Sequence, residues 1–413
     1  MNKSNPGIIL LFFVILLASS FIEIHKWGFF GHRRINRLAV FTLVPEMMPL
    51  FKKNIEYLTD HAVDPDKRRY MVKGEASRHF IDLNRWGKYP FDSLPRKYID
   101  ALIGYGDFRD LSGHFLLGHK SILKIKKTKY ISTEHVQSTD TNQLINFNQY
   151  RLFLLHKVLP AQYGFNDFLL DGKDLNRFLF RSLADTTQVY RWVDTFSIHG
   201  LLPYYFPSKY QNLVDAFKGG DQIKTLRSAA ELGHYIADAH VPLHTTSNYD
   251  GQLTDQNGIH AFWESRIPEL FADAAYDFFV GKAEYIHDVD QYIWNVVIES
   301  NQLVDSVLTI EKRLSAIFPA DQQYCFDNRV NLTIRTQCED YARSYQKALH
   351  GMVEKRMKQA IIATGSIWYS AWVDAGQPRL KKMIQLASPP SNQEDTELDK
   401  AFKNGKMIGR PEN

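Results

Sequence analysis

Cysteine is almost missing from this chain of 413 residues, where only Cys325 and Cys338 occur. Neither lies in a pattern that suggests a zinc ligand, so a structural zinc site built on thiolates is excluded, as is a redox centre that needs soft ligands. In an oxidising compartment the two could pair and close a short loop, and two unrelated thiols fit the sequence equally well. An excess of charge of one sign is also missing. The formal net charge of +4 is too small to argue nucleic-acid binding by itself. Alternating strand-like runs bounded by hairpin signals are scarce, and no internal repeat is visible, which leaves an all-α chain as the economical reading. Long apolar runs number one, at residues 8–17. About ten residues is short for a membrane span, which needs roughly 20.

What is present starts with that run. Lys3 precedes it, and Ala18, Ser19 and Ser20 follow as small residues suited to signal-peptidase cleavage. We therefore expect residues 1–26 to be a signal peptide with a short pro-segment, and the protein to be exported, periplasmic or secreted. Residues 27–387 are expected to form one mainly helical domain, long enough to bury a core without disulfides or metals. Helical periods run over residues 32–43, 213–239, 288–318 and 337–373, with a turn signal at Lys218-Gly219-Gly220-Asp221. Residues 107–145 carry Lys124, Lys126, Lys127 and Lys129 and then a polar stretch without helical period, which reads as a surface insertion. Residues 388–413 are polar with two prolines near their start and read as a disordered tail.

The chemistry gathers in a few segments. In Leu232–His244 (LGHYIADAHVPLH), His234 and Asp238 are four apart and share one helix face, where both can reach a single metal. Pro242 ends or kinks that helix and sends His244 in a new direction. Sixteen residues on, His260 and Glu264 form a second pair four apart. Upstream lie His79, with Asp82 three residues later, and the run Asp64-Pro65-Asp66-Lys67. Imidazole and carboxylate suit zinc. Taken singly, each has a bland reading as a buried imidazole or an acidic turn.

Together these residues resemble the superfamily of zinc-dependent bacterial phospholipases C and the single-strand-specific zinc nucleases of fungi and plants. That family is all-helical and holds three zinc ions in a cleft. Its ordered ligands correspond here to Trp27, His32, Asp64, His79, His234, Asp238, His244, His260 and Glu264. The resemblance implies one zinc on Asp64, His79, His234 and Asp238, and a second on His244, His260 and Glu264. It places a third on His32, Asp238 and the amino group and carbonyl of Trp27, with Asp238 bridging. The third site needs a chain that begins at Trp27, because a backbone nitrogen ligates as an amine; a longer N-terminus implies two zincs. Asp64 is preferred over Asp66 and His61 because its fifteen-residue separation from His79 matches the family, and Lys67 then falls three residues after it. Asp64, Lys67 and Asp82 are the implied catalytic residues, with the lysine neutralising charge and Asp82 holding it. A zinc-bound water titrates near about 7, so no protein nucleophile is needed.

The branch is mixed. The Trp27–His32 interval, the Asp238-x-His240-x-Pro242-Leu243-His244 run and the Lys67–Asp82 pair look like the nucleases. Glu264 in place of aspartate and the short His244–His260 interval resemble the phospholipases. The reading taken is an endonuclease on single-stranded nucleic acid, with phospholipid headgroup release as the alternative and a non-catalytic helical zinc protein as a minor one. No stable protein partner is implied, and a monomer is expected.

Overall fold

The helical periods become helices, several of them bounded by glycine or proline. The structure is a computed structural model that describes residues 29–116, 135–137, 144–159, 168–177, 184–329 and 332–410. It is mostly helical. Trp27 and the apolar run of residues 8–17 lie outside the described residues. None of the described helices is long and apolar enough to cross a membrane.

The expected break at residues 218–221 separates the Leu202–Gly219 and Gln222–Ala239 helices. Gly220 turns with φ +66°, and the Asp221 side chain caps the second helix by accepting from the Lys224 amide at 3.0 Å. The 288–318 period divides into Val289–Gln302 and Val304–Ile317, and the 337–373 period into Glu339–Ala348 and Met352–Asp374.

Chain contacts separate two compact units, residues 1–82 with 205–413, and residues 83–204. In the first, the Phe29–Ala39, Gln222–Ala239 and Met352–Asp374 helices pack on one another. Two glycines allow the close approach. A Cβ on Gly233 would stand 1.9 Å from Asn36 Oδ1, and one on Gly365 1.8 Å from Thr42 Oγ1. Asn36 uses that space to donate to the carbonyls of Ala230 and Leu58, at 2.9 and 3.2 Å. Buried Trp368 donates to Ala229 O at 2.9 Å.

Two expectations about organisation change. The insertion expected at 107–145 falls within the second unit, which extends well beyond it on both sides, and part of it is strand. Gly106–Asp110, Val189–Asp194 and Leu169–Asp171 make an antiparallel sheet in the order first, third, second along the chain, and His135–Gln137 pairs with Leu144–Asn146. Phe108, Tyr150, Phe153 and Trp192 give this unit its own core. The lysine cluster at 124–129 lies outside the described residues.

The tail expected to be disordered is ordered through Arg410. Asn392 and Asp395 form a capping box at the head of a Gln393–Asn404 helix. Leu398 and Phe402, four apart on that helix, form an apolar stripe that an otherwise polar composition conceals. Leu398 is buried, and the Phe402 ring packs 5.3 Å from Phe29 and 5.2 Å from Tyr70. Cys325 and Cys338 are disulfide-bonded, closing the base of a Tyr324–Arg329/Leu332–Gln337 hairpin.

Candidate metal centre

The Gln222–Ala239 helix presents His234 and Asp238 on one face, both buried. It ends before Pro242, and a short 3-10 turn, Pro242–Thr245, carries His244 back towards the same place. His260 and Glu264 flank the start of a π-helical turn, Phe262–Arg266, and both reach the centre. The Phe29–Ala39 helix contributes His32, and His79 follows a 3-10 turn, Ala76–Arg78.

The ligand atoms converge in three sets. His234 Nε2 and His79 Nδ1 lie 3.0 Å apart, and Asp238 Oδ2 is 3.2 Å from the first and 3.0 Å from the second. Asp66 Oδ1 stands 3.7 and 3.8 Å from the same two nitrogens. In a second set, Glu264 Oε2 is 2.8 Å from His260 Nε2 and 3.3 Å from His244 Nε2. The third joins His32 Nε2 to Asp238 Oδ1 at 3.4 Å and Glu264 Oε1 at 3.5 Å. Asp238 and Glu264 therefore each give one oxygen to one set and the other oxygen to its neighbour. The sharing by Asp238 was expected; that by Glu264 was not.

The far sides of three of the rings are held as metal ligands require. His234, His244 and His260 turn Nδ1 to the carbonyls of Ala62, His79 and Tyr249, at 2.9, 2.7 and 3.2 Å. A carbonyl accepts only from an N–H, which leaves each Nε2 lone pair aimed inward. His79 is reversed, with Nδ1 inward and Nε2 3.8 Å from Glu75 Oε1. Tyr235 donates to that carboxylate at 2.5 Å, and Arg68 and Arg78 stand beside it.

The electrostatics show a centre short of positive charge. Burial pushes Asp238 up, yet His234 and His244 hold it well below the usual carboxylate range. Burial also opposes the Glu264 anion, and hydrogen bonds from His244, His260 and His32 keep it low. Burial would lower His234, but Asp238 and Asp66 outweigh it and raise the imidazole to about 9. Buried carboxylates thus draw a proton onto His234, and a cation among these donors would satisfy both. The donors are nitrogen and carboxylate oxygen without sulfur, which fits zinc. Several of these His, Asp and Glu groups can hold a metal ion.

One residue in the expected ligand set moves. Asp64 is not with His79 and His234; Asp66 is. Both lie on the Asp64–Arg68 helix, where residues two apart point about 200° from each other and cannot share a face. Asp64 turns to His61 Nδ1 at 2.5 Å and Lys67 Nζ at 3.4 Å. Lys67 is held by Asp64 and by Asp399 at 2.8 Å. Asp82 does not hold Lys67 but accepts from Arg410 Nη1 at 2.7 Å. The cation three residues beyond Asp66 is Arg69, whose Nη1 is 3.8 Å from Asp66 Oδ1. Spacing from His79 suggested Asp64; the helix face decides for Asp66. Trp27 is outside the described residues, so its expected place beside His32 is as well.

A cavity of about 300 Å³ opens over the centre. His32, Asp66, Asp238, His244, His260 and Glu264 line its metal side, and Arg69, Phe29, Tyr70, Phe402, Met407 and Arg335 surround it. Arg335 lies on the disulfide-closed hairpin with its guanidinium 3.6 Å from the Tyr324 ring centre. The sequence reading missed Arg69, Arg335 and the tail residues. Only the three-residue step from Asp66 to Arg69 could have signalled any of them. No family model matches the chain, and no curated protein matches it.

Proposed function

We propose that this chain is an exported zinc-dependent hydrolase of phosphate diesters, acting on single-stranded nucleic acid, in the manner of the phospholipase C and zinc nuclease superfamily that its ligand order resembles. The observation that carries the reading is the sharing of Asp238 and Glu264 among three sets of ligand atoms, which would hold adjacent cations at one cavity wall. Asp66, His79, His234 and Asp238 would hold one zinc, and His244, His260 and Glu264 a second. His32, Asp238 and Glu264 would hold a third, completed by Trp27 where the chain begins there. Zinc at such a site supplies Lewis acidity towards phosphoryl oxygens and makes water acidic enough to attack at neutral pH.

The chain's own residues do the rest. Arg69 faces the cavity beside Asp66, placed to bind a phosphate oxygen through its planar fork. Carbonyl-anchored imidazoles keep the ligands fixed, so little reorganisation accompanies the reaction. Phe80 and Tyr249 favour nucleic acid. Their ring centres lie 3.9 and 3.6 Å from one planar guanidinium, that of Arg410, and Asp82 accepts from its edge. A slot with aromatic faces and a carboxylate edge suits a nucleobase bearing N–H donors. The apolar side made by Phe29, Phe402 and Met407 favours the second reading, phospholipid headgroup release.

The test is cleavage of single-stranded DNA and RNA, and of phosphatidylcholine vesicles, by zinc-loaded protein with a chelator control. Zinc-dependent cleavage of nucleic acid supports the first reading, and headgroup release alone supports the second. Turnover that survives complete removal of metal would sink both.

A further inference from the structure

The ordered tail does more than complete the fold, because its last residues lie along the proposed substrate side of the centre. The Gln393–Asn404 helix is fastened by Asp399 to Lys67 at 2.8 Å, and by Glu394 and Asp395 to Arg227, both at 2.7 Å. Phe402 near its end and Met407 beyond it both line the cavity. The Ile408 amide donates to Arg69 O at 2.8 Å, and Arg69 Nη2 donates to Arg410 O at 2.7 Å. Gly409 makes the turn with φ +103°, passing so close to Ala76 that a Cβ would stand 2.8 Å from Ala76 Cβ.

That turn delivers Arg410 into the slot. Its guanidinium lies between Phe80 and Tyr249 and donates to Asp82 Oδ1 at 2.7 Å and Thr246 O at 3.0 Å. The groups proposed to receive the substrate, namely the aromatic slot, the Asp82 carboxylate and the Arg69 fork, are thus each engaged by the same six-residue strap. A guanidinium resembles the donor edge of a base in being flat, stacking on rings and presenting parallel N–H groups to a carboxylate.

We propose that residues 405–410 are a built-in competitor for the substrate, with Arg410 filling the slot until nucleic acid displaces it. This rests on the nuclease reading. A strap in equilibrium between seated and released forms lowers the apparent affinity for substrate by the released fraction, without altering the reacting groups.

The test compares the zinc-loaded full chain with Arg410→Ala, which empties the slot, and Gly409→Ala, which unseats the strap through backbone strain and the Ala76 contact. On a single-stranded oligonucleotide both variants are expected to lower KM by about tenfold with kcat unchanged. In parallel, hydrogen exchange at the Ile408 amide is followed with and without guanosine 5′-monophosphate. The nucleotide is expected to speed exchange in the parent chain, and both variants to exchange fast without it. An unchanged or raised KM in both variants overturns the proposal. If none of the three proteins cleaves nucleic acid, the nuclease reading fails on its own account and the strap is judged by exchange. A nucleotide that leaves Ile408 as protected as before then overturns it too.

Discussion

Asp64 and Asp66 differ by two positions and by the direction in which their helix sends them, and that direction decides which can meet His79 and His234. Asp66→Asn is expected to lower zinc affinity at least about tenfold, whereas Asp64→Asn leaves zinc content unchanged. Titration against a competing chelator separates the two, and equal losses would remove the distinction. Glu264 serves two of the three sets of ligand atoms through its separate oxygens. Behind the centre, Glu231 shows how strongly the interior depends on paired charge. Burial pushes its carboxyl up, but Arg68 and Lys209, with Arg227, bring it down to about 2. A carboxylate with a lowered folded pKa stabilises the fold above its unfolded value, and that contribution is lost as pH falls from the usual glutamate value of 4.5 through about 2. Glu231→Gln should flatten the acid limb of a stability-against-pH curve. It should also cost about 3–5 kcal/mol at neutral pH, since Lys209 is left without this carboxylate and Arg68 keeps only Glu75. Chemical denaturation at several pH values reads both effects.

Helices carry most of the ligands, and their ends set the geometry. His234 and Asp238 are legible as a pair because four residues is one turn, and His244 because Pro242 cannot continue the helix. The tail helix was not legible in the same way. Leu398 and Phe402 make too short a stripe to stand out from the acids and lysines around them, and what they cover is contributed by Phe29 and Tyr70, far away in sequence. The hairpin was missed because no glycine or proline in residues 324–337 marks a turn. Its disulfide closes a loop with a sequence separation of 13, and such a loop contributes about 3 kcal/mol by restricting the unfolded chain. Replacing both Cys325 and Cys338 by serine is therefore expected to lower unfolding free energy by about 2–3 kcal/mol. If the hairpin also shapes the cavity through Arg335, KM should rise while zinc content stays constant. A loss of zinc in that variant would mean that the hairpin supports the metal centre itself.

At the scale of the whole molecule, metal and fold are linked. Candidate ligands for one centre come from segments spread between His32 and Glu264, so zinc held by them would bind only the folded arrangement and is expected to raise the melting temperature. With free zinc at a hundred times its dissociation constant, the gain per site is about 2.7 kcal/mol. Calorimetry with and without chelator checks this, and no change in melting temperature would contradict binding at these residues. Metal analysis of protein beginning at Trp27 is expected to find three zincs per chain, and of protein with a longer N-terminus two. Three in both would show that His32, Asp238 and Glu264 suffice without the terminal amine.

By itself the sequence determined the helical class, the breaks at glycine and proline, and seven of the histidines and carboxylates that converge, His32, His79, His234, Asp238, His244, His260 and Glu264. His234, Asp238, His244, His260 and Glu264 follow from chain-breaking residues and four-residue steps, each visible in a short window, whereas His32 and His79 were marked as ligands by the family resemblance. Tertiary structure alone decided the rest: Asp66 over Asp64, the second shared carboxylate at Glu264, the separate unit at residues 83–204, and the tail that returns to the cavity. Each depends on which residues distant in sequence lie opposite one another after packing, and no local window contains that information.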